Sequence, residues 1–203
     1  MTHLLCIGDS ITDSHRLFAY PPLGNGYVQM LAQKLAGQPL PFEITNCGVD
    51  GFTVQRLLEQ VHFRYLPLKP DVVTILIGIN DIGLMMNTNR TKAQQKKMMQ
   101  DFSIHYEALI QEFSSAGCRM ILMEPFIFPW PLEYQTWLPL LHTMSGIISD
   151  CACRHHLSFV PLHEDLNQQG RCYGLDFITT DGIHLTLEGH RIITEKLLPL
   201  LLL

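Results

Sequence analysis

Ser10 stands in the run Ile7-Gly8-Asp9-Ser10-Ile11-Thr12-Asp13, directly after an apolar stretch, and Asp181-Gly182-Ile183-His184 stands near the other end of the chain. A serine hydroxyl is a weak nucleophile until a base removes its proton, and the oxyanion that then forms needs preorganised donors. His184 supplies the base that the early part of the chain lacks. Asp181 lies three residues before it, so a single turn points its carboxylate at the far nitrogen of the imidazole. The chemistry these residues specify is that of a serine hydrolase. Asp9 and Asp13 are read as hydrogen-bonding groups that fix the serine turn.

Two more turns follow apolar runs: Asn46-Cys47-Gly48-Val49-Asp50-Gly51 and Gly78-Ile79-Asn80-Asp81. Taken singly, Gly48 reads as a tight-turn residue and Asn80 as a helix cap. Taken together with Ser10, they form three polar or glycine-rich turns that one sheet edge can collect.

The elements that must position these turns follow from hydrophobic periodicity. Strands are expected over 4–7, 42–46, 71–77, 119–123 and 157–160, the third being an unbroken β-branched run suited to burial on both faces. Helices are expected over 26–35, 53–65, 91–115, 136–155 (interrupted early by Pro139) and 187–198. The alternation predicts right-handed crossovers and a single domain over 1–203: an α/β three-layer α/β/α sandwich, flavodoxin-like, with a five-stranded parallel sheet. Ligands bind such sheets outside the carboxyl ends of the strands, where all three turns fall.

Composition narrows the partners. With 203 residues, 47% of them hydrophobic and 16% charged, the chain can bury a sizeable core. A net charge of −5 lacks the basic excess that nucleic-acid binding uses. Neutral small-molecule or oligosaccharide substrates fit better. The apolar end, Leu197 to Leu203, is far shorter than the ~20 residues that span a bilayer, so it is read as the packed end of the last helix without stable membrane insertion. The chain enters a strand directly after Met1-Thr2-His3, with no leader pattern, so a cytoplasmic location is expected. Six cysteines show neither disulfide-scaffold nor zinc spacing, and most of them read as buried thiols. His155, His156 and His163 match no compact ligand set and are read as surface or strand-end residues.

Ser10 in Gly-Asp-Ser-Ile-Thr-Asp, Gly48 in Asn-Cys-Gly-Val-Asp-Gly, Asn80 in Gly-Ile-Asn-Asp and His184 in Asp-Gly-Ile-His occur in the order of the four blocks of the SGNH (GDSL-like) hydrolases, which the chain resembles over nearly its whole length. The resemblance implies Ser10 as nucleophile, His184 as general base and Asp181 as its orienter. It implies an oxyanion hole from the N–H groups of Ser10 and Gly48 with the Asn80 amide, and an acyl-enzyme pathway needing no metal or organic cofactor. Within the family, Leu23-Gly24-Asn25-Gly26-Tyr27-Val28, Lys69-Pro70-Asp71 and Ile121-Leu122-Met123-Glu124-Pro125-Phe126 are similar to the carbohydrate-esterase branch that includes acetylxylan esterases. Thr180, the run Ile82-Gly83-Leu84-Met85-Met86 and Leu185 depart from that branch, which often carries an aromatic, a tryptophan and a proline at the corresponding places.

The resemblance therefore implies a hydrolase of short acyl esters, including O-acetylated sugars. A thioesterase or lysophospholipase with a longer acyl pocket is the alternative, its walls supplied by Met85, Met86, Phe126, Phe128, Trp130 and Trp137. A non-catalytic binding module is the remote third reading. Apolar surface around Trp130 and Trp137 leaves a homo-oligomer open.

Overall fold

A computed structural model describes residues 1–39 and 41–203. Five strands form one wholly parallel sheet: β1 (Thr2–Gly8), β2 (Phe42–Asn46), β3 (Val72–Leu76), β4 (Arg119–Met123) and β5 (Ser158–Val160), in the order β2-β1-β3-β4-β5. Every residue of β3 is buried, as its β-branched sequence requires of a central strand covered on both faces. The helices are α1 (Ser10–Asp13), α2 (Tyr27–Leu35), α3 (Val54–Gln60), α4 (Ile79–Met86), α5 (Lys92–Ser115), α6 (Leu138–Arg154), α7 (His163–Tyr173), α8 (Leu175–Ile178) and α9 (Leu187–Leu201). On one face of the sheet α2 packs against α9; on the other, α5 packs against α3 and α6. This is the expected three-layer sandwich.

The core lies on both sides of β1 and β3, built from Leu4, Ile7, Val73 and Ile75 with Leu31 and Ile193 on one side and Leu57 and Leu109 on the other, all fully buried. At ~25 cal/mol per Å² of apolar surface removed from water, each such side chain contributes ~1.5–3 kcal/mol. Thr91 starts α5 with a reciprocal capping box to Gln94.

Element ends differ from expectation where proline or a change of helical pitch intervenes. Pro139 falls in the first turn of α6, where its missing N–H leaves no bond unmade, so the helix begins there instead of being interrupted. Residues Leu132–Trp137 ahead of it form a 3₁₀ segment. The helix expected over 53–65 changes at Val61–Tyr65 into a wide π turn. The last helix runs on through Pro199 to Leu201, whose side chain is buried, leaving only Leu202 and Leu203 beyond it. Among the described residues, no helix is long and apolar enough to cross a membrane.

The strand order reverses between β1 and β3. Gly8 at the end of β1 lies level with Leu76 at the end of β3, so Ser10 and Asn80 emerge on the same rim at this switch point.

Candidate active site

Asp9 caps α1: its Oδ1 accepts a 3.0 Å hydrogen bond from the N–H of Ile11, which lifts Ser10 onto the first position of the helix. Burial pushes the Asp9 carboxyl up to about 7, against the Ile11 hydrogen bond. Asp13 faces elsewhere, pairing with Arg16 at 3.2 Å, so the serine turn is fixed by Asp9 alone of the two.

Between α8 and α9 the chain makes a tight loop closed by the bridge of Thr179 to Leu185. Thr180 N–H and the Thr179 hydroxyl both donate to His184 O, at 2.9 and 2.7 Å. Phe128 N–H donates to Gly182 O at 2.9 Å, pinning the loop to the segment after β4. At its tip, Asp181 Oδ1 accepts from the N–H groups of Ile183 (2.9 Å) and His184 (2.7 Å). Asp181 Oδ2 lies 2.6 Å from His184 Nδ1, and His184 Nε2 lies 2.9 Å from Ser10 Oγ. Partial burial raises the Asp181 carboxyl, but the hydrogen bonds from the His184 ring and these backbone amides outweigh it and hold the group below the usual carboxylate range. An anionic Asp181 accepts from Nδ1–H, which leaves Nε2 unprotonated and able to take the serine proton. Residues 174 positions apart in sequence thus meet within one hydrogen bond.

Of the donors expected for an oxyanion, Gly48 is held by a partner of its own. Gly48 N–H donates to Asn46 Oδ1 at 2.9 Å, and Gly48 O accepts from Arg16 Nε at 2.6 Å. A Cβ at Gly48 would stand 2.2 Å from Asp13 N and 2.6 Å from Thr12 C, so this glycine exists to let the second turn touch α1. Its N–H is taken by the Asn46 side chain.

Three residues on, Val49 O accepts from Phe52 N–H at 3.2 Å, closing a turn in which Gly51 has φ +73°. Positive φ at the third position marks a type II turn and selects glycine there. The N–H of that position takes no part in the turn's own hydrogen bond. Asn80 Nδ2 donates to Phe52 O at 3.0 Å, which joins the Asn80 amide to this turn and leaves its second N–H free for another acceptor. Sequence reasoning missed Gly51; the Asp50-Gly51 dipeptide, a strong turn signal, was the clue.

Ser10, Ser14, Asn25, Thr180, His184 and His190 line a cleft of about 260 Å³. The residues expected to wall a long acyl pocket lie elsewhere: Met85, Phe126, Phe128 and Trp137 are in the core, Met86 is half-buried against it, and of that set only Trp130 is exposed.

Of the six cysteines, Cys6, Cys47, Cys118 and Cys151 are buried as expected, whereas Cys153 and Cys172 are exposed. His155 departs from its expected surface role: it is half-buried, with Nε2 2.5 Å from Glu107 Oε1.

The model of the GDSL-like lipase/acylhydrolase family matches residues 6–192. Among known proteins, an acetylxylan esterase of Geobacillus stearothermophilus is 27% identical over 205 residues, covering 96% of this chain and 91% of its own length. A solved acetyl xylan esterase structure from the same organism matches with a TM-score of 0.84 and 26% identity, over 98% of this chain and 93% of that one. An alpha/beta hydrolase enzyme from the metagenome of Lake Arreo matches in fold, with a TM-score of 0.84 at 24% identity, over 98% of this chain and 94% of that one. With the family match running from β1 into α9, the chain belongs to the GDSL-like lipase/acylhydrolase family and is an ester hydrolase.

Proposed function

We propose that the protein removes acetyl groups from O-acetylated sugars or oligosaccharides through an acyl-enzyme on Ser10. The observation that carries this reading is the continuous relay Asp181–His184–Ser10, with bonds of 2.6 and 2.9 Å. Ser10 Oγ attacks the ester carbonyl as its proton passes to His184 Nε2. The imidazolium, stabilised by Asp181, then protonates the leaving alcohol; water repeats the sequence to release acetate. For the oxyanion, the Ser10 N–H and the free N–H of Asn80 are joined by Gly51 N–H in place of Gly48.

The alcohol and acyl preferences rest on the cleft. Its lining joins hydroxyl, amide and imidazole groups, which suit a polyhydroxyl alcohol, to the apolar side chains of Ile11, Leu185 and Leu187, and its small volume suits a short acyl group. The likeness to an acetylxylan esterase supports the same choice. A long acyl chain would need an open apolar wall that the buried Met85, Phe126 and Phe128 do not supply. Six unpaired cysteines, two of them exposed, support a reducing, cytoplasmic location.

Acetate release from acetylated xylo-oligosaccharides, run beside a nitrophenyl ester series of increasing chain length, tests the proposal. The expected result is turnover of the oligosaccharide and kcat/KM falling beyond the shortest acyl groups. Activity that climbs with each added CH₂, at up to ~0.8 kcal/mol per group, would overturn it.

A further inference from the structure

Both α5 and α6 run antiparallel to the strands, so their carboxyl-terminal halves lie toward the sheet edge opposite the catalytic rim. There Cys151 and His155, one helical turn apart, present their side chains on one face at the end of α6, and Glu107 faces them from α5. The Cys151 Sγ donates to Glu107 Oε2 at 3.6 Å, and His155 Nε2 lies 2.5 Å from Glu107 Oε1. A sulfur, a ring nitrogen and a carboxylate oxygen thus converge within 4.8 Å of one another. Arg154 Nη2 donates to Glu107 Oε2 at 2.7 Å, orienting the carboxylate from outside the cluster.

An ion-pair network accounts for Glu107, Arg154 and His155 and leaves the thiol on its edge, with one long 3.6 Å bond to Glu107 Oε2. A buried sulfur turned toward a carboxylate is instead the donor arrangement of a borderline-soft cation; calcium and magnesium take all-oxygen shells. Ordinary zinc bond lengths in a tetrahedron require an S···O edge of about 3.6 Å and an N···O edge of about 3.4 Å. The Cys151 sulfur stands at the first distance from Oε2, whereas His155 meets the other oxygen, Oε1, so the carboxylate turns to bring one oxygen to both donors. The second needs the His155 ring to swing out by about 1 Å, and His155 caps the helix end with 26% of its side chain exposed. The exposed fractions of His155 and Glu107, 26% and 29%, leave the fourth position to water.

We propose that Glu107, Cys151 and His155 form a binding site for a divalent ion of the zinc class that clamps α5 to α6, separate from the esterase chemistry. Cys151 and His155 alone, four residues apart, gave no recognisable sequence spacing because the third donor comes from another helix.

The test uses the full chain, reduced and freed of metal by chelation, titrated with Co²⁺. The expected result is a thiolate-to-cobalt charge-transfer band in the near ultraviolet with visible bands of four-coordinate cobalt, both displaced by Zn²⁺, and a higher Tm with Zn²⁺. Cys151→Ser should remove the charge-transfer band, and His155→Gln should weaken Co²⁺ binding about tenfold or more. Circular dichroism establishes whether each variant is folded; if Cys151→Ser is not, His155→Gln decides. Absence of the band in the wild type overturns the proposal. So does wild-type Co²⁺ affinity in His155→Gln, or a band retained in folded Cys151→Ser, either of which places the ion on other groups.

Discussion

Asn46 holds the catalytic rim together from a single side chain. Its amide N–H groups donate to Thr12 O (2.7 Å) and Leu23 O (2.8 Å), and its Oδ1 takes the Gly48 N–H. This bond occupies the Gly48 N–H, and the turn that holds Gly51 is the one that Asn80 Nδ2 joins through Phe52 O. Replacing the Asp50–Gly51 amide by an ester removes the Gly51 N–H while keeping every side chain and the backbone path. Steady-state kinetics should show kcat down about 10²-fold for that change and about 10²–10³-fold for Asn80→Ala. The same replacement at the Cys47–Gly48 link should leave kcat close to wild type and cost about 1–3 kcal/mol in denaturant unfolding. The reverse pattern would return the role to Gly48.

At the level of elements, α4 couples the turn closed by Val49 and Phe52 to the sheet: Asn80 holds Phe52 O while the Asp81 carboxylate accepts from Val54 N–H at 3.2 Å, at the start of α3. Burial pushes the Asp81 carboxyl up to about 7, opposed by the Val54 N–H. A carboxyl raised in the folded state favours folding while protonated. That stability is complete below the unfolded value of 3.8 and is lost as pH rises through about 7. Asp81→Asn keeps an oxygen acceptor without the charge. Urea unfolding should therefore show the variant gaining on wild type as pH goes from about 5 to about 8, with the gain complete above the folded value. An equal difference at both pH values would contradict the assignment. The same element marks where sequence reading reached its limit. β3 and α5 were legible because a β-branched run and a long helical periodicity are local signals. α4 was not, since Gly83 interrupts it and its polar start resembles a turn. α7 was hidden by its polar character, with only Leu166, Asn167 and Gly170 buried. The residues of the relay were readable from their types and spacing, whereas the Gly48/Gly51 division depends on which amide faces Asn46, a fact only three-dimensional packing supplies.

Across the whole molecule, the parallel sheet serves to bring distant chain segments to one rim. β1 delivers Ser10, β3 delivers Asn80, and the loop ahead of α9 folds back to set His184 against the serine. The opposite edge carries the Glu107–Cys151–His155 cluster, so the two chemistries are separated by the length of the strands. The central claim is that one hydroxyl, activated by one imidazole, carries the ester chemistry. Its most direct measurement is labelling by a fluorophosphonate followed by peptide mass mapping. The expected result is a single adduct on Ser10, none in folded Ser10→Ala, and labelling slowed at least about 10²-fold in His184→Ala. An adduct on another residue that abolishes esterase activity, or undiminished labelling of Ser10 without His184, would contradict it.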